Sequence, residues 1–284
     1  MRILIIGSSG MLGRDLVQEW TEDEVSSATS READIRDLGQ VRQLVSREHP
    51  DWIVLTAAYT DVDGSERNPE QAFAVNGQGT KNVASTAQEQ GAKLFYISTD
   101  YLFDGTATHP IEPEHPIAPL NIYGQSKAAG EKAVQQSHRD WCIARTSWLF
   151  GASATCFPEK ILRASEARPE LTVVADQFGS PTYTRDLALA IRDLVRADAR
   201  GIVHVTNTGS CSWCEFAREI LRQTGRGSIP VLPISTAQAD RPARRPAYSV
   251  LSPASLTAYK ISLRSWQEAT SAYLEELREQ RKII

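Results

Sequence analysis

Short apolar runs alternate along the first half of the chain with longer stretches in which apolar residues recur every three or four positions. Residues 3–6 are continuously apolar, which is typical of a strand buried on both faces of a sheet. Leu12, Leu16 and Val17 follow at helical spacing. This alternation predicts an α/β fold in which helices cover both faces of a parallel sheet. The predicted strands are residues 2–6, 25–29, 52–56, 94–98 and 142–145, and further helices are predicted at residues 38–47, 69–90 and 123–137.

The pattern becomes less regular after Gly151. Helical spacing recurs at residues 157–167, 185–195, 213–224 and 266–280, and residues 241–246, here called the arginine loop, combine three arginines with two prolines. We therefore expect residues 1–150 to form the main sheet domain. Residues 151–284 should form mainly a smaller C-terminal α/β region that binds substrate, with some segments returning to the sheet, because open α/β sheets bind ligands at the carboxyl ends of their strands.

Charge and hydropathy exclude two classes of partner. The formal net charge is -4, whereas nucleic-acid-binding proteins usually present a basic face. The first apolar run ends at Gly7, too short for a signal-peptide core or a membrane span, and no long uncharged apolar stretch follows. We expect a cytoplasmic protein that binds neither nucleic acid nor membrane.

The cysteines include one pair with the spacing of redox and zinc sites, Cys211 and Cys214. Structural zinc needs four ligands, and no second close Cys or His pair accompanies this one. A thioredoxin-like motif should follow an early strand, whereas this pair lies late in the chain. We interpret the pair as packing residues at the start of a helix and predict no metal site.

A glycine motif, Gly7-Ser8-Ser9-Gly10-Met11-Leu12-Gly13, lies between the first predicted strand and the first predicted helix. Its glycines permit a tight turn and let a pyrophosphate approach the backbone N–H groups at the helix N-terminus. In this position the motif predicts a Rossmann-type doubly wound sheet that binds NAD(P) within residues 1–150. Its G-x-x-G-x-x-G spacing differs from the usual G-x-G-x-x-G and resembles that of the short-chain dehydrogenase/reductase superfamily.

Tyr123 and Lys127 are four residues apart, which places both side chains on one face of a helix. A free tyrosine has a pKa of about 10, and a nearby ammonium group, together with oxidised nicotinamide, would lower it toward the range of proton transfer. Thr99 ends a predicted buried strand, where a hydroxyl can hydrogen-bond a substrate carbonyl. These three residues are the predicted catalytic group.

The end of the second predicted strand bears on the choice of cofactor. NAD-specific sites place a carboxylate there to bind the ribose 2′-OH, but this region reads Ala28-Thr29-Ser30-Arg31. Arg31 could instead meet a 2′-phosphate, or it could be a solvated loop residue. We expect NADPH to be the preferred cofactor and NADH to be used as well.

Several longer strings of residues point to one family. Together with the motifs above, they make the sequence resemble the dTDP-4-dehydrorhamnose reductase family, an extended branch of the short-chain reductases, over nearly its whole length. The strings that carry this resemblance are residues 98–105, 119–124, 145–151, 176–182 and 241–248. The resemblance implies reduction of the C4 ketone of dTDP-4-dehydro-L-rhamnose to dTDP-L-rhamnose. The sequence departs from the family pattern at two places: Tyr59 stands where the family often has His, and residues 154–157 replace a common Asn-Phe pairing.

The resemblance also implies roles for individual residues. Tyr123 is the general acid, and Lys127 orients the ribose. Cofactor contacts are implied for Gly10, Met11 and Leu12 at the pyrophosphate, Asp34 and Ile35 at the adenine, and Ala58, Tyr59 and Thr60 at the ribose and nicotinamide. Contacts with the sugar nucleotide are implied for Thr99, Asp100 and Trp148.

The arginine loop offers cations for the substrate diphosphate. Guanidinium groups can hold phosphate oxygens in pairs, and Pro242 and Pro246 would stiffen the loop. We expect Arg244 or Arg245 to contact the diphosphate or to support the wall that does. The alternative is that these arginines pair with carboxylates and pin the C-terminal segment to the sheet domain.

Two other functions stay open. Epimerases and other nucleotide-sugar reductases share the Tyr-x-x-x-Lys motif, although the strings after Asp176 and Arg241 favour the reductase. A non-catalytic role is known for a related fold, the regulatory subunit of methionine adenosyltransferase, and intact Tyr123 and Lys127 argue against it. The sequence is compatible with a homodimer.

Overall fold

The computed structural model describes residues 1–280 and shows a central parallel sheet with a smaller unit at one edge. The predicted region 151–284 thus extends four residues beyond the described chain. The strands are β1 (Arg2–Ile6), β2 (Glu24–Ala28), β3 (Trp52–Leu55), β4 (Lys93–Thr99), β5 (Trp141–Thr146), β6 (Leu149–Phe150), β7 (Leu171–Val174), β8 (Phe178–Gly179), β9 (Thr182–Tyr183), β10 (Gly201–His204), β11 (Cys211–Ser212) and β12 (Val231–Ile234). The helices are α1 (Met11–Glu19), α2 (Leu38–Glu48), α3 (Val62–Arg67), α4 (Pro69–Phe73), α5 (Thr80–Gln90), α6 (Ile122–Ser137), α7 (Phe157–Ala167), α8 (Thr184–Arg196), α9 (Trp213–Gln223), α10 (Thr236–Ala239), α11 (Ala254–Thr257) and α12 (Trp266–Glu279).

The main sheet of residues 1–280 has six parallel strands in the order β2-β1-β3-β4-β5-β10. The chain moves outward in one direction from β1 to β2 and in the other from β3 onward, so the order reverses between β1 and β3. Open α/β sheets bind ligands in the crevice at such a reversal. The predicted α/β, Rossmann-type doubly wound sheet is confirmed.

Alternation along β1 builds a core on each face of the sheet. Ile3 and Ile5 join a cluster beneath α1 and α8, with Leu187 and Ile191. Leu4 and Ile6 join a second cluster, beneath α2 and α5. Because both faces are covered, the central strands β1 and β3 are almost continuously apolar, whereas the edge strand β2 is more polar and less buried.

The second half of the chain builds a separate core from α7, α9 and α12 around the paired strands β7 and β12. Aromatic rings fill it, among them Phe150, Tyr183, Phe216 and Tyr273. Two segments leave this unit: α8 packs on α1, and β10 pairs with β5 in the main sheet. Cys211 and Cys214 are free and buried at the start of α9, as expected of packing residues.

The predicted helix 69–90 contains an interruption. Residues Ala74–Gly79 form a π turn between α4 and α5, and the helix ends at Gly91 in the left-handed conformation, with φ +72°. Such turns insert one residue into the helical ladder and are frequent near functional sites. None of the helices within residues 1–280 has the length and apolar composition needed to cross a membrane.

A buried ion pair joins α6 to the sheet. Arg145 of β5 binds Glu131 of α6 at 2.8 Å, and each side chain is only 3 % exposed. Arg145 also donates to the carbonyl oxygen of Pro113, at 2.9 Å. Removal of one partner would leave the other charge buried without compensation.

We predict that Glu131→Ala lowers the free energy of unfolding by about 3–5 kcal/mol, because Arg145 would keep a buried charge without its carboxylate. Chemical denaturation would measure this. The matched control is Glu89→Ala, which removes a carboxylate from the exposed pair with Arg42 and should change stability little. Equal losses in the two variants would contradict the prediction.

Candidate active site

A crevice of about 700 Å³ opens at the carboxyl ends of β1, β3, β4 and β5. The predicted site residues that line it are Gly7, Gly10, Met11, Leu12, Gly13, Asp34, Ile35, Ala58, Thr60, Thr99, Asp100, Tyr123, Lys127 and Trp148. Four predicted residues are not among its lining: Arg31, Tyr59, Arg244 and Arg245. Lining residues that sequence reasoning missed include Ser30, Arg36, Ser98 and Thr146.

The glycine motif forms one end of the crevice. Gly7 has φ +100°, and a Cβ atom there would lie 2.5 Å from the backbone nitrogen of Ala57. A Cβ atom on Gly13 would lie 2.2 Å from the carbonyl oxygen of Gly7. Gly10 is the N-cap of α1 and has no side chain to cover the first N–H groups of the helix. The loop therefore fits the approach of an anionic group to a helix N-terminus.

Beyond the glycine motif the crevice is lined by polar groups from the loop after β2. Arg36 lies in the lining with its guanidinium on the Asp34 carboxylate, at 2.5 Å. The Arg31 side chain is exposed and has no ion pair within residues 1–280. Asn82 donates to the carbonyl oxygens of Ile35 and Arg36 and so fixes this loop. Arg31 is thus an available cation near the end of β2.

Tyr123, Thr99 and Lys127 meet at the opposite end. Burial raises the pKa of Tyr123, and a hydrogen bond with Thr99 acts in the other direction. Lys127 donates to the carbonyl oxygen of Ile97 at 2.7 Å, and burial lowers the pKa of its ammonium to about 7. Burial, and not Lys127, therefore dominates the pKa of Tyr123 in this structure. A buried tyrosine that keeps its proton is suited to act as a general acid.

Asp100 lies next to this group and is fully enclosed. Its carboxylate accepts from Ser249 at 2.5 Å and from Thr99 at 3.2 Å. Burial raises its pKa to about 7, although both hydrogen bonds lower it. Ser249 was not predicted, because nothing near it in the sequence relates it to Asp100.

Asn76 in the π turn is another residue that sequence reasoning missed. Its side chain accepts from the backbone N–H of Tyr59 at 2.8 Å and donates to the carbonyl oxygen of Tyr59 and to Ser126 of α6. It therefore fixes the loop that carries Ala58 and Thr60 against α6. The sequence feature that could have indicated this role is a polar residue, Asn76, on the buried side of a predicted helix.

Trp148 forms the wall toward the second unit. Its φ is +48°, and its ring stacks on Trp213 with centroids 3.5 Å apart and planes 5° apart. A Cβ atom on Gly179 would lie 2.4 Å from the Trp148 ring. These neighbours fix the ring at the edge of the crevice.

The arginine loop is pinned beside the crevice. Arg245 binds Asp63 at 2.9 Å with its side chain 11 % exposed, and the N–H of Ala243 donates to the same carboxylate. Asn121, the N-cap of α6, donates to the carbonyl oxygen of Arg244 at 2.7 Å. Arg244 itself is exposed, without an ion pair among residues 1–280. Arg245 therefore pairs with a carboxylate, which is the alternative that the sequence left open for these arginines.

Comparisons with known proteins agree with this arrangement. The family model described as "RmlD substrate binding domain" matches residues 1–279. A dTDP-4-dehydrorhamnose reductase from Streptomyces griseus is 38% identical over 277 residues, covering 94% of this chain and 91% of that protein. A dTDP-4-keto-6-deoxy-D-glucose reductase from Streptomyces niveus is 38% identical over 253 residues, covering 88% of each.

The fold comparison points the same way. The crystal structure of dTDP-4-dehydrorhamnose reductase from Bacillus anthracis in complex with NADP has a TM-score of 0.94 and 40% sequence identity. The match covers 97% of this chain and 99% of that one. On the evidence of its fold and its full-length similarity, the chain belongs to the dTDP-4-dehydrorhamnose reductase family.

Proposed function

We propose that this chain is an NAD(P)H-dependent oxidoreductase that reduces the C4 ketone of dTDP-4-dehydro-L-rhamnose to dTDP-L-rhamnose in nucleotide-sugar biosynthesis. The observation that carries the proposal is the meeting of Tyr123, Thr99 and Lys127 at one end of a crevice whose other end is a glycine loop. The printed activities of the Streptomyces griseus relative and the Bacillus anthracis structure support the substrate.

The crevice fits a dinucleotide. Gly7 and Gly13 leave space that a Cβ atom would fill, and the N-terminus of α1 offers N–H groups to a pyrophosphate. We assign the pyrophosphate to Gly10, Met11 and Leu12, with Gly7 and Gly13 shaping the turn. The adenine is assigned to Asp34 and Ile35, and the ribose and nicotinamide side to Ala58, Tyr59 and Thr60. We propose NADPH as the preferred cofactor, since the Bacillus anthracis relative binds NADP, with NADH also used.

Residues of this chain supply the proton for the carbonyl oxygen and the groups that assist its transfer. When bound, the reduced nicotinamide supplies a hydride to the carbonyl carbon. Tyr123 gives its proton to the carbonyl oxygen, which becomes the C4 hydroxyl, and Thr99 donates a hydrogen bond to the same oxygen. Lys127 holds a positive charge beneath the site, where it stabilises the phenolate that Tyr123 leaves. Asp100 and Trp148 are assigned to the sugar nucleotide, and residues 151–284 mainly to substrate binding.

A second sugar is a specific alternative. The Streptomyces niveus relative is named for a 4-keto-6-deoxy-D-glucose substrate at the same 38% identity. Both names describe reduction of a dTDP-4-keto-6-deoxy sugar, so the two substrates share the chemistry of Tyr123. We further propose a cytoplasmic location, as the sequence led us to expect, and a homodimeric assembly, with which the sequence is compatible.

The deciding experiment measures NADPH oxidation with each enzymatically generated dTDP-4-keto sugar, followed by identification of the product. We expect turnover with dTDP-4-dehydrorhamnose and dTDP-L-rhamnose as the product. Turnover only with the 4-keto-6-deoxy-D-glucose sugar would favour the alternative. Absence of turnover with either sugar would favour a non-catalytic binding subunit.

For the acid, we predict that Tyr123→Phe lowers kcat by about 10²-fold or more, because it removes the donated proton but keeps the ring. The Kd for NADPH should change little. Tyr259→Phe is the matched control, since its hydroxyl accepts from the backbone N–H of Arg200, at 3.4 Å, and this variant should turn over normally. Near-normal turnover of Tyr123→Phe would refute its role as the acid.

For the cofactor, we predict that Arg31→Ala raises the KM for NADPH several-fold and leaves the KM for NADH unchanged, because Arg31 is the unpaired cation near the end of β2. Initial rates with each cofactor measure the effect. Arg36→Ala serves for comparison, since Asp34 already neutralises that guanidinium. Equal effects of Arg31→Ala on the two cofactors would argue that it binds no 2′-phosphate.

For the substrate diphosphate, the structure separates the two arginines. We propose that Arg244 contacts the diphosphate and that Arg245 supports the wall beside it. Arg244→Ala should raise the KM for the dTDP-sugar with the melting temperature unchanged, whereas Arg245→Ala should lower the melting temperature because Asp63 loses its partner. A normal KM in Arg244→Ala would place the diphosphate site elsewhere.

A further inference from the structure

The hydroxyl of Thr99 has one hydrogen, and its neighbours compete for it. The Thr99 oxygen accepts from the backbone N–H of Tyr101 at 3.2 Å, and its hydrogen points at Oδ1 of Asp100, also at 3.2 Å. An ionised carboxylate can only accept hydrogen bonds. While Asp100 is charged, the hydrogen is therefore committed to Asp100, and Thr99 offers Tyr123 only a lone pair.

A proton on Oδ1 of Asp100 reverses this arrangement. The carboxyl then donates to the Thr99 oxygen, so that both lone pairs of Thr99 are occupied, one by Asp100 and one by the Tyr101 N–H. The Thr99 hydrogen becomes free to point at a substrate carbonyl oxygen. The ketone then receives two hydrogen bonds, from Tyr123 and from Thr99, where charged Asp100 would permit one.

Ser249 decides which oxygen of Asp100 carries that proton. Ser249 is buried, and its hydroxyl donates to Oδ2 of Asp100 at 2.5 Å. Its backbone N–H is fixed on the carbonyl oxygen of Phe178 at 2.9 Å. The Ser249 hydroxyl lies 2.5 Å from Oδ2 and 3.5 Å from a second acceptor, the carbonyl oxygen of Phe178, whereas the Thr99 hydroxyl lies 3.2 Å from Oδ1. Because the shorter bond holds the Ser249 hydrogen on Oδ2, the proton is favoured on Oδ1, which faces Thr99.

We propose that Ser249 is a positioning residue of the active site, which acts through Asp100 to set the Thr99 hydroxyl as a donor to the substrate carbonyl. The inference rests on the proposed reduction and makes neutral Asp100 part of the active form. It also gives the segment after the arginine loop a role in the reaction at a distance from the substrate.

The surroundings of Asp100 set the expected pH dependence. Burial raises its pKa to about 7, and the hydrogen bonds from Ser249 and Thr99 lower it. Two titratable groups interact with its charge, Tyr101 on the same turn and Tyr123 on α6. Lys127 lines the same crevice, and Arg241 and Arg245 of the arginine loop act on Tyr101. Because the protonated form is the active one, activity is full below this pKa and falls as the pH rises through it. Lys127, whose pKa is lowered to about 7, must also keep its proton.

The first test is the pH profile of Ser249→Ala in the NADPH-dependent reduction. The plateau of kcat should fall roughly tenfold, because the proton of Asp100 can now sit on Oδ2 and Thr99 loses its donor role. The ionisation of Asp100 should move upward by about one pH unit, because the carboxylate loses a hydrogen bond that stabilises it. Because the pKa of Lys127 stays at about 7, log(kcat) should fall above that pH with a slope of about -1 and steepen only where Asp100 ionises. Ser249→Thr restores a hydroxyl and should reverse both effects.

The matched control is Ser252→Ala. Ser252 is buried in the same segment, and its hydroxyl accepts from the N–H of Ala254 at 3.3 Å. Loss of the Ser252 hydroxyl should leave the fall of activity at alkaline pH unchanged. Thermal unfolding of each variant separates loss of fold from loss of positioning.

The second test is Asp100→Asn. With Ser249 donating to the amide oxygen, the amide nitrogen faces Thr99 and donates at every pH. At alkaline pH the slope of log(kcat/KM) against pH should change from about -2 in the wild type to about -1 in this variant, because only the proton of Lys127 is still lost. This expectation does not depend on the absolute rate of the variant. This variant keeps the inference testable if Ser249→Ala does not fold.

Three results would overturn the inference and leave the proposed reaction intact. They are a wild-type profile that is flat from about pH 6 to about pH 9, an alkaline fall in folded Ser249→Ala that has the same shape as that of the wild type, and an unchanged slope in Asp100→Asn. Failure of the wild-type chain to reduce any dTDP-4-keto sugar would instead remove the proposed function.

Discussion

The close approach of α6 to the end of β4 is the constraint on which the rest of the site depends. A Cβ atom on Gly124 would lie 2.2 Å from the carbonyl oxygen of Tyr101, and one on Gly130 would lie 2.4 Å from that of Asn76. A side chain at either position would push the helix away from the sheet. Because Tyr123 and Lys127 lie on this helix one turn apart, the same contact brings the tyrosine hydroxyl to Thr99 and the lysine ammonium to Ile97.

The start of α6 is held by segments from both halves of the chain. Asn121 accepts from the N–H of Gly124 at 2.8 Å and donates to the carbonyl oxygen of Arg244. The N–H of Ile122 donates to Glu66 of α3, at 2.8 Å. The backbone of the arginine loop thus helps to position Tyr123, whatever its side chains bind. Structural support and substrate binding are therefore compatible roles for this loop.

Features made by neighbouring residues could be predicted from the sequence, and features made by distant ones could not. The glycine loop and the spacing of Tyr123 and Lys127 are local, so their geometry follows from the turn and the helix. The contact between Ser249 and Asp100 spans 149 residues, and that between Arg245 and Asp63 spans 182. Asp100 and Arg245 could be singled out individually from the sequence, but no local pattern relates either of them to its partner.

The same limit applies to the fold. The buried strands β1, β3, β4 and β5 of the main sheet are mainly apolar, and the sequence located them, whereas β10 was not predicted. Strands of two residues, such as β6 and β9, are too short to show any alternation. The π turn at Ala74–Gly79 was not predicted, and within it Asn76 makes a contact with Tyr59 that no local pattern indicates.

Residues from both halves of the chain reach the crevice because the chain crosses more than once between the main sheet and the smaller unit. After β5 it leaves the sheet at Trp148, returns with α8 and β10, and leaves again after His204. Asn207 ties two of these crossings together, since it accepts from the N–H of Tyr183 and donates to Asp186, both at 2.8 Å. Every crossing lies at the carboxyl edge of the sheet, because that is where parallel strands end. Side chains from the smaller unit therefore reach the crevice from fixed backbone positions, and Ser249 is placed on Asp100 by the same geometry that places Trp148 at the wall.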